Sequence, residues 1–390
     1  MKIFKDEEKL SPEYVPPNLP HREKELELLM TFFSSVISGS PSISTRVLVS
    51  GSVGTGKSAL VKLFGQKACY EASKKGIDLR FLYVNCRISK TTFLVLRKLV
   101  EQLKARLPER GLSDEELLHK LLDYIEYKGL YVIIALDEVE MLLREEGGEP
   151  IYLFTRVGEE RLKIPRISMI FIFRNLEVLD TLDESTRSSL LGNIIHLKEY
   201  GYKELYDIIK YRASLAFHPD VLMDDVIQMI AEIASERGDA RYALDILWRA
   251  GKYAEVDRVM KVTPEHVRKA VASVYPTIRR EHLEYLELHS KLILLALARS
   301  LEAEKTAYIT SSVLNEYYRM VCEEYDVEPR SYTSFWEALQ RLDDLGIIKI
   351  KVVSEGARGR KSHISLLGIP TSILIKELEP LLPKKSSKST

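Results

Sequence analysis

The residue types best able to do chemistry are gathered in "LVSGSVGTGKSALV", residues 48–61, where small residues and one lysine separate two apolar runs. Gly51, Gly56, Lys57 and Ser58 fit the spacing G-x-x-x-x-G-K-[ST] of a phosphate-binding loop. A polyphosphate carries several negative charges. Backbone N–H groups can wrap it only where side chains stay out of the way, so Gly51, Ser52, Val53, Gly54, Thr55 and Gly56 suit the cradle. Lys57 then reaches the β and γ oxygens, and Ser58 offers a hydroxyl to Mg²⁺. Ala59 continues a helix whose positive dipole end faces the anion.

A second cluster supplies the acids. The strand-like run "YVIIALDEVE" ends in Asp137, placed to hold the Mg²⁺ shell, and Glu138, placed to polarise a water for attack on a γ-phosphate. A solvated strand end is the plain alternative, weakened by the phosphate loop elsewhere in the chain. The run "MIFIFRNLEVLD" ends in Arg174 and Asn175; the amide either orients the γ-phosphate or its water, or starts a turn. Arg241 in "GDARYALDILWRAG" sits near a helix start, as a nucleotide contact from a neighbouring domain or as a surface arginine.

Such groups must be held by a frame. Four apolar runs follow the strand "TRVLVSG": residues 79–86, 130–137, 167–175 and 192–200. They alternate with helical patterns, which predicts a parallel sheet with helices on both faces. Residues 203–275 read as wholly helical, without a strand. From about 281 three helical patterns precede the β-rich runs "IIKIKVVS" and "SHISLLG" around "EGARGRK", the order of a winged helix-turn-helix. The expected division is 1–200 for an α/β nucleotide-binding domain, 201–278 for a helical lid, 279–380 for the winged helix and 381–390 for a disordered tail.

Within the last block Phe335, Leu339 and Leu342 share a helical face and read as core. Arg330, Ser331, Tyr332, Thr333 and Ser334 then surround the exposed start of a recognition helix, as donors for phosphates and base edges. Arg358, Gly359, Arg360 and Lys361 form a basic tip able to grip a nucleic-acid backbone. Winged helices also dock proteins. The clustering of cations in a chain with 57 basic and 57 acidic residues favours DNA.

The three cysteines Cys69, Cys86 and Cys322 lie far apart and read as buried thiols of a reducing compartment. No run matches a membrane span, and "MKIFKDEEKL" lacks the apolar core of a secretory signal, so a cytoplasmic, nucleoid-associated protein without membrane contact is expected. Charged residues at 29% with few cysteines suit a thermophile.

Together "YVPPNLPHREKEL", "GSVGTGKS", "VIIALDEVE", "FRNLEVLDTLDESTRSSL", "GYKELYDIIKYR" and "GDARYALDILWRAG" resemble the archaeal Orc1/Cdc6 family of replication initiators over roughly residues 10–370. The resemblance implies an AAA+ P-loop domain with a helical lid and a C-terminal winged helix. It implies that residues 51–58 are Walker A, Asp137 and Glu138 Walker B, Asn175 sensor 1 and Arg241 sensor 2. Tyr14, Val15, Pro20, His21 and Arg22 would border the adenine of ATP or ADP. Arg106 and Arg110 fall where the family carries a DNA-contacting helical insertion. The family's arginine finger departs here, because Ser185 stands at its position and Arg187 two residues on points elsewhere.

The expectation is therefore a weak, switch-like ATPase using Mg²⁺. It would bind double-stranded origin DNA, help recruit the MCM helicase and work beside Orc1/Cdc6 paralogues. An ATP-regulated transcription or transposition regulator is the main rival. A metabolic P-loop kinase is disfavoured because it leaves the basic wing without a task.

Overall fold

The computed structural model describes residues 2–105, 111–161, 164–184, 187, 190, 192–274, 283–354, 360–366 and 369–383. The chain divides into two compact units, residues 13–204 with 237–240, and residues 1–12, 205–236 and 241–390.

The first unit is built on a five-stranded parallel sheet: β1 (Arg46–Ser50), β2 (Leu79–Asn85), β3 (Tyr131–Asp137), β4 (Ile167–Phe173) and β5 (Ile194–His196), in the order β2-β3-β4-β1-β5. The near-continuous apolar runs of the sequence follow from this position, since a parallel strand covered on both sides needs apolar residues at odd and even positions alike. Val47 and Val49, Ile133 and Ala135, and Ile170 and Ile172 enter one core with helices Glu23–Phe32 and Lys57–Lys74. Leu48, Val132, Ile134, Leu136, Met169 and Phe171 enter the other, with helices Thr92–Leu103 and Asp114–Lys128. The latter helix starts on a capping box between Ser113 and Glu116, so its entry is set locally. Two full cores hold the strand ends that carry the site residues.

The second unit joins the helical block to the winged helix. Helices Tyr202–Ala216 (from Leu205 on), Asp224–Ser235, Ala240–Val256 (from Arg241 on) and Pro264–Val274 form the first part. The first twelve residues fold with them rather than with the nucleotide-binding domain: Lys5 and Asp6 donate to Ala216 O at 2.8 and 3.0 Å, and the rings of Phe4 and Phe217 lie 4.7 Å apart. Ile3, Phe4 and Leu10, apolar residues of an otherwise charged stretch, are held there by burial.

Helices Leu288–Glu304, Ser311–Glu324 and Tyr332–Asp344 precede a three-stranded sheet of β6 (Ile309–Thr310), β7 (Ile348–Ser354) and β8 (Arg360–Leu366), in the order β6-β8-β7. Strand β6 has two residues, too few for an alternation pattern to reveal it. A further helix, Thr371–Leu378, packs Leu374 and Leu378 into the same core, and Leu382 is buried there too. Leu381 and Leu382, placed in the expected disordered tail, thus pack with this core; residues 384–390 lie outside the described residues.

Helical block and winged helix meet across a polar seam. Arg268, 1% exposed, donates to the carbonyls of Thr306 at 3.1 Å and Ala307 at 3.3 Å, while its neighbour Glu265 accepts from Thr371 N at 3.0 Å and Thr371 Oγ1 at 2.9 Å. Lys351 of β7 pairs with Glu232, and Lys349 with Glu236 at 3.9 Å.

Candidate functional site

The phosphate loop follows β1 and ends in the helix Lys57–Lys74. Gly51, Gly54 and Gly56 have φ of 147°, 78° and 89°, the region that L side chains avoid. Neighbours would also exclude a side chain: a Cβ on Gly54 would lie 1.8 Å from Asp239 Oδ1, and one on Gly56 2.8 Å from the Tyr200 hydroxyl. Ala240 N donates to Gly54 O at 3.2 Å, so residues 237–240 brace the loop. Thr55 is buried with its hydroxyl on Ser52 O at 2.8 Å. Ser52 and Val53 are exposed at the tip, and Ala59 is half-buried in the first helical turn.

Lys57 lies along the loop, its Nζ donating to Gly51 O at 2.6 Å and Ser52 O at 2.7 Å. The Ser58 hydroxyl donates to Asp137 Oδ2 at 2.5 Å, joining β1's loop to the end of β3 across the sheet. Tyr83 of β2 donates its hydroxyl to the same carboxylate oxygen; burial first and then the Asp137 charge hold its phenol well above the usual tyrosine range. The other oxygen, Oδ1, accepts from Glu138 N at 2.9 Å. Ser58 and Asp137 thus form a pair of hard oxygen donors, the type that suits Mg²⁺.

Glu138 itself has φ 54° and ψ 47°, a left-handed conformation uncommon outside glycine. Its Oε1 accepts from Arg174 Nη2 at 2.7 Å, and Arg87 Nη1 stands 4.0 Å from Oε2. Arg174 also faces Glu140 at 3.6 Å, whose carboxyl is pushed up chiefly by burial. Asn175 is exposed at the β4 end, and its Oδ1 accepts from Glu177 N at 3.0 Å. The structure therefore shows the turn-starting role of that amide directly; its NH₂ retains the capacity to donate.

Arg22, expected beside the adenine, is buried beneath the loop: Nε donates to Thr55 O at 3.2 Å, Nη2 to Lys198 O at 2.6 Å, and the guanidinium lies 4.0 Å over the Tyr200 ring. With Nη1 also on His21 O at 3.2 Å, the guanidinium supports the loop from below. Tyr14, Val15, Pro20 and His21 are half-buried in the segment leading to it. Arg241 is exposed in the helical unit, at the second residue of Ala240–Val256. Ser185 is outside the described residues, and Arg187 pairs with Asp180 at 2.9 Å.

Sequence reasoning missed Tyr83, residues 237–240 and the bonds of Arg174. An inward tyrosine among apolar residues in "FLYVNC" was the available signal for the first. Cys69 is half-buried rather than buried; Cys86 and Cys322 are buried, and burial pushes the Cys86 thiol up to about 12.

In the winged helix, Phe335, Ala338, Leu339 and Leu342 are buried, while Arg330, Ser331, Tyr332 and Thr333 are exposed and Ser334 half-buried at the start of Tyr332–Asp344. Ser331 caps that helix, accepting from Ser334 N at 3.4 Å. Arg330 is steadied by its N–H on the Tyr318 hydroxyl at 3.2 Å and its guanidinium near Glu287 at 3.4 Å. Lys361 is exposed on β8 beside Arg360, and a cleft of about 420 Å³ runs between Thr310, Ser312, Tyr332, Trp336, Lys361 and Ser362. Arg358 and Gly359, like Arg106 and Arg110, fall outside the described residues. No described helix is long and apolar enough to cross a membrane.

Comparison with known proteins matches three family models along the chain. The model of an AAA ATPase domain matches residues 18–197, that of a Cdc6 AAA+ ATPase-type lid domain 206–272, and that of a CDC6 C-terminal winged helix domain 281–374. An ORC1-type DNA replication protein 2 of Saccharolobus solfataricus is 36% identical over 372 residues, covering 93% of this chain and 90% of that protein. An ORC1-type DNA replication protein of Pyrococcus horikoshii is 36% identical over 95% of this chain and 89% of its own length. Among solved structures, Cdc6p from Pyrobaculum aerophilum superposes with a TM-score of 0.86 at 31% identity, covering 97% of this chain and 98% of that one. The Aeropyrum pernix ORC1 protein, solved in complex with DNA, gives 0.65 at 32% identity, covering 97% of each chain. With a phosphate loop braced on a parallel sheet, a helical lid and a winged helix in one chain, the protein belongs to the archaeal Orc1/Cdc6 family of replication initiators, AAA+ ATPases with a C-terminal winged helix.

Proposed function

We propose that the chain binds MgATP at the β1–β3–β4 rim, hydrolyses it slowly as a state switch, and uses its winged helix to hold duplex DNA at replication origins and help recruit the MCM helicase. The contact between the Ser58 hydroxyl and the Asp137 carboxylate at 2.5 Å carries the nucleotide half. Two oxygen donors, one from the first turn of the helix Lys57–Lys74 and one from the end of β3, converge beside Lys57, where a metal shared with the phosphates would be held. Mg²⁺, when bound by Ser58 and Asp137, neutralises charge on the phosphate oxygens.

The chain's own residues do the rest. Lys57 exchanges its two loop carbonyls for phosphate oxygens, a better partner because they are charged. Glu138 accepts a hydrogen bond from the attacking water and orients it toward the terminal phosphorus. Asn175 donates its amide NH₂ to the same region, and Arg241 of the lid senses the nucleotide. Tyr83 keeps Asp137 aimed while its own proton stays in place.

Structure and relatives support the DNA half. The exposed polar start of the recognition helix, the basic residues of β8 and the DNA complex of the A. pernix relative favour a duplex partner. The ADP and ADPNP complexes of the A. pernix ORC2 protein support a nucleotide at the loop. Arg358 and Gly359 of the wing, Arg106 and Arg110, and cooperation with paralogues complete the reading.

The deciding experiment is to measure turnover and bound nucleotide in Glu138→Gln, then sequence the chromosomal fragments the protein retains from its own genome. Trapped ATP with slow hydrolysis and fragments confined to a replication origin are expected. Fragments confined to promoters would replace the initiator with a transcription regulator.

A further inference from the structure

The core of the winged helix holds a polar atom against the start of the recognition helix. Tyr318, on the helix Ser311–Glu324, is fully buried. Its ring packs on Phe335 with centroids 5.3 Å apart, and Phe335 packs in turn on Tyr332 at 5.9 Å. The Tyr318 hydroxyl accepts from Arg330 N at 3.2 Å and lies 2.7 Å from Nδ1 of His289, on the helix Leu288–Glu304. Three segments of the domain thus meet at one oxygen. Ser331 is the cap of Tyr332–Asp344, so the hydroxyl fixes the backbone one residue before that cap. Phenylalanine would fill the same apolar space, and a hydroxyl buried there has to be matched to its partners.

The hydrogens at this oxygen can be accounted for one by one. A hydroxyl has one hydrogen to give and two lone pairs to offer. Arg330 N–H takes a lone pair, and the hydrogen is left for His289 Nδ1, because the Cys322 sulfur one turn on is a weaker acceptor. That arrangement requires a neutral imidazole with Nδ1 bare. The groups facing the ring are Tyr318 and the charges of Arg330 and Glu287. Burial first, and then the Arg330 charge, hold His289 below the ordinary histidine range against the pull of Glu287. The Arg330 guanidinium stays at the surface, 3.4 Å from Glu287, so the amide is fixed while the cation keeps its reach.

We propose that Tyr318 and His289 are positioning residues for base reading: the hydroxyl holds the Arg330 amide and the imidazole aims the hydroxyl, which sets the start of the recognition helix before DNA arrives. The inference rests on the reading of this domain as one that holds duplex DNA through that helix start. Base edges discriminate only when donors meet them in the right geometry, whereas phosphates are met by long cations that tolerate a shift. Loosening the Arg330 amide therefore harms recognition of a particular sequence and spares attraction to any duplex. Protonating His289 places an N–H where the hydroxyl hydrogen points. The hydroxyl must then turn to sulfur, and a second cation faces Arg330.

The test uses the full chain with two duplexes: the chromosomal fragment it retains most strongly, and a shuffled sequence of the same length and composition. Affinities of parent, Tyr318→Phe, His289→Leu and His289→Asn are measured across salt and from pH 7.5 to 5.5. Hydrogen exchange of the Arg330 amide is followed in the DNA-free protein. Phenylalanine keeps the ring in the core and removes only the oxygen. Leucine offers the hydroxyl no acceptor, whereas asparagine brings an amide oxygen to the place of Nδ1 and does not titrate.

Tyr318→Phe is expected to weaken binding of the fragment about five- to tenfold, the effect of one lost hydrogen bond, with the shuffled duplex and the salt slope unchanged. The Arg330 amide should exchange about tenfold faster. His289→Leu should lose about two- to fivefold on the fragment alone, and His289→Asn should recover most of that loss. In the parent, the preference for the fragment should decline as pH falls from about 6.5 through the depressed histidine value, and His289→Asn should flatten the decline. Equal losses on both duplexes, an Arg330 amide that exchanges at the parent rate in Tyr318→Phe, or the same affinities and pH profiles for both His289 variants overturn the positioning role. If Tyr318→Phe does not fold, the two His289 variants decide. A parent that binds both duplexes equally overturns the reading of the domain as a sequence reader, and the inference falls with it.

Discussion

The two polar surfaces of the molecule are built on opposite plans. At the nucleotide rim, Lys57, Ser58, Tyr83, Asp137, Glu138 and Arg174 are joined to one another or to the loop backbone through bonds that span the sheet. On the winged helix, Arg330, Ser331, Tyr332 and Thr333 lie exposed at one helix start, with Lys361 on a strand near by. The first plan keeps each group close to where the phosphates would sit, so that little more than an exchange of hydrogen-bond partners, as at Lys57, is needed when the ligand arrives. The second keeps long side chains adaptable, which suits a duplex whose backbone is found by charge and whose bases are then read.

The comparison breaks if the two surfaces fail independently of this distinction. Lys57→Ala should lower ATP affinity about a hundredfold or more, a loss of roughly 2.7 kcal/mol. Duplex affinity without nucleotide should stay within about twofold, because the cations of the winged helix are untouched. Isothermal titrations with ATP and with an origin duplex check both halves. Equal losses would mean that the rim and the winged helix are not separable.

Gly54→Ala sharpens the claim of a preformed cradle. The substitution forces a Cβ into a φ of 78° and against the Asp239 carboxylate, so the loop should lose about 1–3 kcal/mol of nucleotide affinity while the fold persists. Replacing Asp239 with glycine beside it should restore part of the loss by relieving the contact. Unaltered ATP binding in Gly54→Ala would show that the loop is not held to this shape.

On the adaptable surface the effects are smaller and of two kinds. Thr333→Ala should cost on the order of 1–3 kcal/mol on a cognate duplex and much less on random DNA, if the recognition helix reads bases. Lys361→Ala should weaken both duplexes alike and reduce the slope of log K against log salt by roughly 0.9. A salt titration of each variant on both duplexes separates them. The same loss and slope for both would remove sequence reading from this domain.

The smallest effect concerns pH in the helical unit. His266 is buried; its Nδ1 accepts from Thr263 N at 3.0 Å and its Nε2 lies 3.2 Å from Asp257 Oδ2, with Lys269 and Glu265 also facing it. Desolvation is the largest cause acting on it and holds its pKa below the ordinary histidine range, against the pull of Asp257. The folded state thus prefers the neutral ring. The stability this supplies is present above about pH 6.5 and is lost as pH falls from there through the depressed folded value. Thermal unfolding of parent and His266→Gln from pH 7.5 to 5 should show the steeper decline in the parent. Parallel curves would take His266 out of the account.

Much of this was legible in the order of residues. The phosphate loop is a local motif, so its spacing alone specifies the turn, the lysine and the helix that follows, and the acids at the end of "YVIIALD" announce a rim because an apolar strand has to stop where it meets water. Alternation and apolar runs likewise specified a sheet covered on both faces and a three-helix block ending in a hairpin.

What the tertiary structure alone decided is which distant groups meet. Tyr83 reaches Asp137 and Arg174 reaches Glu138 because β3 lies between β2 and β4, an order that no periodicity encodes. Arg22 meets the carbonyls of Thr55 and Lys198, and the first twelve residues fold with the helical block rather than with the domain they precede in sequence. Arg268 and Glu265 clamp backbone of the winged helix, at Thr306, Ala307 and Thr371. A sequence pattern states which face of an element is apolar. It does not state what covers that face or which buried charge finds which carbonyl, because those pairings depend on the packing of whole elements, where burial and hydrogen-bond satisfaction are settled together.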